Sequence, residues 1–208
     1  MAEIIGLSGY AGCGKDLFFN LFKEEIRKMN GSSTTRVALA DPLKKEVQST
    51  LLQLKGIDPL SCSRQQKDMI RDILVFYGVH RRNQTEGRYW IDQATEKIQE
   101  LSEKFDFILV TDIRFNRFIR DEVPWVREEL KGKLLVIKQF VYEPDMHCVN
   151  TAYQKPPNDT EEINMLNVEK YADYTLEWPF SDEKGHIENN LRPAVREFIS
   201  KYYEDANK

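Results

Sequence analysis

Apolar residues run unbroken from Ile4 to Leu7, stop at a glycine-rich turn, and resume at helical spacing in the segment that starts at Leu17. That pattern predicts strand, loop, helix. Arg36 to Ala40 predicts a second short strand, and Asp41 with Pro42 opens a helix through Leu54, proline being suited to a first helical turn. A break follows from Gly56 to Ser63. Ser63 then caps a helix expected to end near Gly78, and Ile91, Ala94, Ile98 and Leu101 share one face of a further helix. A charged stretch, Val79 to Tyr89, separates the two.

Phe105 to Ile113 and Lys133 to Tyr142 are rich in β-branched and aromatic residues and lack the alternation of a strand with one wet face. Both predict buried strands of a parallel sheet. Tyr142 to Asp159 carries three prolines and many polar residues, the composition of a mobile loop, and predicts a lid over about residues 142–165. A short helix at 161–171, a last strand at 172–178 and a closing helix from about Leu191 complete the chain. Strands alternating with helices at this spacing predict one α/β domain over residues 1–208, with a parallel sheet of about five strands and helices on both faces.

Composition narrows the function classes. With 30 Lys+Arg against 34 Asp+Glu the formal charge is −4, and no basic run suits a nucleic-acid backbone. A small anionic ligand fits better. The three cysteines are too few and too scattered for a disulfide framework or a metal knuckle, His147-Cys148 included. No run approaches the ~18 apolar residues of a membrane helix and the first residues lack a signal-peptide pattern, so the expected setting is the cytoplasm.

The candidate chemistry lies in the first turn. Gly9-Tyr10-Ala11-Gly12-Cys13-Gly14-Lys15 fits G-x-x-x-x-G-K, the loop that points backbone N–H groups and a lysine at the phosphates of ATP. It directly follows the first strand and opens an amphipathic helix, whose N-terminus also favours anions. Asp16 stands where the pattern has Ser or Thr for Mg²⁺; it reads equally as a metal ligand and as an ordinary first-turn acid. Asp112 closes the run Phe107 to Asp112, at the carboxyl end of a central strand where α/β sheets bind ligands, and suits a water-mediated Mg²⁺ contact or the orientation of an acceptor phosphate. Arg114, two residues on, has the planar fork that matches phosphate.

The blocks GLSGYAGCGKD, ALADPLKKEV, IRDILVFYGVHRR with RYWIDQA, and ILVTDIRF occur in one order over roughly residues 3–120. Together they resemble the deoxynucleoside monophosphate kinases encoded by tailed bacteriophages. The resemblance implies a P-loop NTPase-type three-layer sandwich that transfers the ATP γ-phosphate to a deoxynucleoside monophosphate with Mg²⁺, in a host cytoplasm if phage-encoded. It implies catalytic roles for Lys15, Asp112 and Arg114 and metal roles for Asp16 and Asp112. An acceptor-binding helical segment follows over about residues 42–104, with Asp41, Lys44, Arg71, Arg82 and Trp90 as substrate candidates. Trp90 reads on its own more readily as core. Two features depart from that family: Asn116-Arg117-Phe118 replaces its Asn-Glu, and residues 138–164 hold no lid arginine, leaving Lys138 and Lys155 as point charges.

Two alternatives stay open: a P-loop kinase of another phosphorylated acceptor such as dephospho-coenzyme A, and a nucleotide-binding module without transfer activity. The accepted base, the choice between ribose and deoxyribose, and a homodimer are equally open.

Overall fold

The structure, a computed structural model, describes residues 2–144, 149–156, 159–180 and 185–206. Strands β1 (Glu3–Ser8), β2 (Thr34–Ala38), β3 (Phe107–Ile113), β4 (Lys133–Pro144) and β6 (Tyr174–Pro179) run parallel in the order β2-β3-β1-β4-β6. A short strand β5 (Val149–Tyr153) turns back antiparallel on the far end of β4, from Phe140↔Tyr153 to Pro144↔Val149. Because Phe140 also pairs with Pro179, β5 occupies the opposite edge of β4 from β6, beyond the end of β1.

Neighbouring residues of each central strand point to opposite faces, and both faces are covered, hence the continuous apolar runs. Ile4, Ile108 and Leu134 face one core with α2 (Ala40–Lys55), α3 (Arg64–Gln84) and α4 (Arg88–Leu101), where Leu51, Ile70 and Ile91 meet them. Ile5, Leu109 and Leu135 face the other core with Phe18 and Phe22 of α1 (Lys15–Asn30) and Phe198 and Tyr202 of α7 (Arg192–Ala206). Glu25 fastens these two helices: it accepts from Arg192 at 2.7 Å and from Arg196. Burial works to raise its pKa, yet hydrogen bonds from Arg196, Arg192 and Lys28 outweigh this and bring it to about 2.

The sequence expectations for the fold class are met, with three differences in detail. Helix α3 does not end near Gly78 but runs to Gln84, so most of the charged stretch is helix. Gly78 is there for close approach, since a Cβ would stand 2.9 Å from Leu43 Cδ1, and the chain turns instead at Gly87, φ +91°. The chain from Tyr142 onward is not all loop, because β4 continues to Pro144 and β5 pairs with it. Residues 145–148 and 157–158 of the expected lid, His147 and Cys148 among them, lie outside the described residues. A short helix α5 (Glu122–Pro124) and a π-helical turn at Trp125–Glu129, unforeseen in the sequence, precede β4. The remaining helix α6 (Asp159–Glu169) follows β5. No described helix is long and apolar enough to cross a membrane.

Candidate functional site

The phosphate loop joins β1 to α1, and its three glycines carry φ values of +145°, +88° and +95° at Gly9, Gly12 and Gly14. Side chains are disfavoured in that region, and at Gly9 and Gly14 space forbids them as well. A Cβ on Gly9 would lie 2.5 Å from the Ile137 carbonyl oxygen, and one on Gly14 would lie 2.6 Å from Trp178 Cζ2. Two residues from distant parts of the chain brace the loop. Trp178 of β6 donates its indole N–H to the Cys13 carbonyl at 2.9 Å, and Gln154 donates Nε2 to the Ala11 carbonyl at 2.7 Å. Neither has a local sequence signal, because each acts across the sheet.

Lys15 is folded back over the loop, donating to the carbonyls of Gly9 at 2.8 Å and Tyr10 at 3.0 Å. Cys13 is buried beneath it, and burial raises its thiol pKa against the opposing charge of Lys15. A cleft of about 200 Å³ opens beside the loop, lined among others by Gly9, Tyr10, Lys138, Gln154, Met165 and Glu169. Tyr10 is shifted up by burial and then by the carboxylates of Glu162, Glu169 and Glu161, which places the acidic side of α6 near the loop. Lys138 pairs with Glu169, whereas Lys155 is exposed.

Asp112 lies at the carboxyl end of β3 beside β1, in a left-handed conformation with φ +71°, a strained choice for a residue with a side chain. Arg114 follows, its Nη1 3.4 Å from Glu161 of α6. Lys67 of α3, missed in the sequence, joins this neighbourhood. Although Lys67 is exposed, its pKa is lowered by partial desolvation first and then by Lys44, with Asp112 opposing and Arg114 and Arg71 adding to the fall. Lys44, Arg71, Arg114 and Asp112 thus all act on Lys67. The one available signal was spacing: Lys67 and Arg71 are four residues apart and share a helix face. Lys44 also pairs with Asp41 at 3.6 Å, and Arg71 with Asp68 at 2.5 Å.

Three site expectations are corrected. Arg82 is 5% exposed and spent on Asp121 and Glu122, so it does not face a ligand. Trp90 is core: it is 4% exposed and its indole N–H is satisfied by the Gly78 carbonyl at 3.1 Å. Asp16 turns out of the loop, its side chain 81% exposed and paired with Arg36 of β2. Of the two expected metal carboxylates, Asp112 stands at the carboxyl end of β3 beside β1, whereas Asp16 is already paired with Arg36. No three or more His, Cys, Asp or Glu among the described residues converge on a metal site.

Known proteins resemble the chain in part. Its structure superposes on thymidylate kinase from Ehrlichia chaffeensis with a TM-score of 0.43 at 14% identity, covering 97% of this chain and 98% of that one. Shikimate kinase from Bacteroides thetaiotaomicron gives 0.43 at 13% identity, with 97% and 98% covered. Shikimate kinase from Acinetobacter baumannii, in complex with shikimate, gives 0.42 at 10% identity, with 100% and 97% covered. No curated protein matches the sequence. The family model of phosphomevalonate kinase matches residues 7–131, more than half of the chain. That span holds the phosphate loop, the cations of α2 and α3, Asp112 and Arg114, and by it the protein, a P-loop kinase, belongs to the phosphomevalonate kinase family.

Proposed function

We propose that the protein transfers the γ-phosphoryl group of ATP to the phosphate of a small phosphomonoester, converting a deoxynucleoside monophosphate to its diphosphate. The observation that carries this reading is the position of Asp112 and Arg114 at the carboxyl end of β3, next to the end of β1 from which the phosphate loop and Lys15 follow. Lys44 and Arg114 are held only loosely, 3.6 Å from Asp41 and 3.4 Å from Glu161, and can exchange those partners for a dianion, so the acceptor in this reading itself bears a phosphate.

In this reading the loop N–H groups and Lys15 hold the β and γ phosphates of ATP. To do so Lys15 leaves the carbonyls of Gly9 and Tyr10, to which it donates. An oxygen of the acceptor phosphate then attacks the γ-phosphorus in line as the bond to the β-phosphate oxygen breaks, giving ADP. Such transfers pass through a loose transition state, in which positioning and charge stabilisation do most of the work. Arg114 and Lys67 draw the acceptor phosphate toward Lys15 and offset the repulsion between two anions. Mg²⁺, bound with ATP, would be held on the protein side by Asp112 and would neutralise charge on the β and γ oxygens. Asp16 could join it only after leaving Arg36.

A second reading is favoured by the family match: the acceptor is phosphomevalonate, also a phosphomonoester. The two differ in what lies beyond the phosphate. The test is ADP release from Mg·ATP with dTMP, dGMP, dCMP, dAMP, their ribose counterparts and phosphomevalonate, with Lys15→Ala alongside. Turnover on a deoxynucleotide, lost in the variant, supports the first reading. Turnover on phosphomevalonate alone moves the assignment to the second. ATP binding with no turnover on any acceptor refutes both.

A further inference from the structure

Arg82, excluded from the ligand site by burial, occupies the centre of a closed polar network. Its Nη1 donates to Glu122 Oε1 at 2.7 Å, and its Nη2 to the two oxygens of Asp121 at 2.8 and 3.1 Å. The guanidinium plane lies over the Phe115 ring, 3.8 Å from its centroid. The three charged side chains are at most 6% exposed. The carboxylates spend their remaining lone pairs on the backbone just after β3. Glu122 Oε2 accepts from the N–H of Arg114 at 2.6 Å and of Phe115 at 3.1 Å. Asp121 Oδ2 accepts from Arg117 at 2.7 Å and Phe118 at 3.3 Å.

A buried ion network of this kind is a poor source of net stability, since desolvation offsets most of its attraction and apolar residues of similar volume often do as well. What an apolar cluster cannot do is hold four backbone N–H groups in place. Here the held segment starts at Arg114, two residues after the left-handed Asp112, and the donor that organises it comes from α3, the helix carrying Lys67 and Arg71. Arg82 thus ties the cations of α3 to the cation that follows β3.

We propose that Arg82, acting through Asp121 and Glu122, is a positioning residue that sets Arg114 against Lys67 and Arg71 for the phosphate of the acceptor. The proposal rests on reading those cations as the acceptor-phosphate group. It requires the guanidinium fork, because a lysine at 82 keeps the charge but cannot serve two carboxylates and a ring face together.

The test is a double-mutant cycle between Arg82→Lys and Arg114→Ala, repeated with Glu122→Gln in place of Arg82→Lys. Both substitutions are conservative, and thermal melting checks that each protein folds. The first readout is binding of inorganic phosphate with the nucleotide site saturated by ADP. The second is the acceptor KM against the ATP KM, on whichever acceptor supports turnover. Arg114→Ala should weaken phosphate binding by about 10–100-fold, the range for losing a hydrogen bond between charged groups. Arg82→Lys and Glu122→Gln should each weaken it several-fold, raise the acceptor KM and leave the ATP KM in place. Added to Arg114→Ala, neither should cost anything more. Arg82 losses that persist in full without Arg114, or that strike both KM values equally, overturn the proposal. An Arg114→Ala protein that binds phosphate as tightly as the parent overturns instead the acceptor-site reading on which it rests, and the proposal falls with it.

Discussion

Trp178 and Gly14 form a pair whose energetics follow directly from the geometry of the loop. The indole is fully buried, packs against Phe18 with ring centroids 6.3 Å apart, and satisfies the Cys13 carbonyl. Trp178→Phe removes that donor, and a buried carbonyl left without a partner costs about 1–3 kcal/mol, with a further cavity cost for the lost ring atoms. Gly14→Ala carries two separate penalties. Its φ of +95° costs an alanine roughly 1–2 kcal/mol, whatever the space around it. The new Cβ would also stand 2.6 Å from Trp178 Cζ2, an overlap that costs about 1–3 kcal/mol to relieve. Phenylalanine has no atom at that Cζ2, so the overlap disappears in the double variant while the φ penalty stays. The double variant should therefore be more stable than the sum of the singles implies, by about 1–3 kcal/mol. Urea denaturation of the four proteins at one pH measures this, provided the slopes agree. Additivity within about 0.5 kcal/mol would refute the reasoning, because the contact between loop and indole would then carry no energy.

Three further outcomes are expected. Lys15→Ala should abolish transfer while changing stability by no more than about 0.5 kcal/mol, since its hydrogen bonds go to loop carbonyls that water can serve; a large drop in the urea midpoint would make the residue structural. Lys67→Ala should raise the acceptor KM about tenfold with the ATP KM unchanged, and equal changes in both would remove Lys67 from the acceptor site. Burial pushes the Glu122 carboxyl from 4.5 up to about 7, against the pull of Arg82, so below about pH 7 the folded protein takes up a proton there that the unfolded chain releases, and the network with Arg82 is fully ionised only above that pH. Its contribution to stability is then present below the unfolded value and lost as pH rises through the folded one. Between about pH 4.5 and 7 that loss amounts to on the order of 3 kcal/mol. Glu122→Gln should flatten this fall when denaturation is compared at pH 5 and pH 8, and an unaltered pH slope would count against the buried proton.

The amino-acid sequence by itself determined the elements that depend on local pattern. Continuous apolar runs marked β1, β3 and β4 as strands covered on both faces. Glycines at 9, 12 and 14 before a lysine marked the loop, because a chain turning through positive φ around phosphates tolerates little else. The neighbourhood of Asp112 and Arg114 was legible for the same reason, being a strand end with the right chemistry. Where local rules misled, a distant contact had overridden them. Gly78 reads as a helix stop, yet it lies inside α3 so that Leu43 can approach. The stretch from Tyr142 reads as loop, yet β5 pairs with the free edge of β4 past the end of β1.

Only the tertiary structure decided how the arginines divide. Arg71, Arg81, Arg82 and Arg88 look alike in a linear chain, and burial separates them. Arg82 is drawn inward by Asp121 and Glu122, 39 and 40 residues away. Arg81, one position earlier and about 100° around the helix, stacks on Tyr77 and Tyr89. Arg88 is taken by Asp92 and Glu129, and Arg71 pairs with Asp68 on the exposed side of its own helix. A charge has no preference for a ligand over an internal carboxylate until the fold sets the distance to each and removes the water between them.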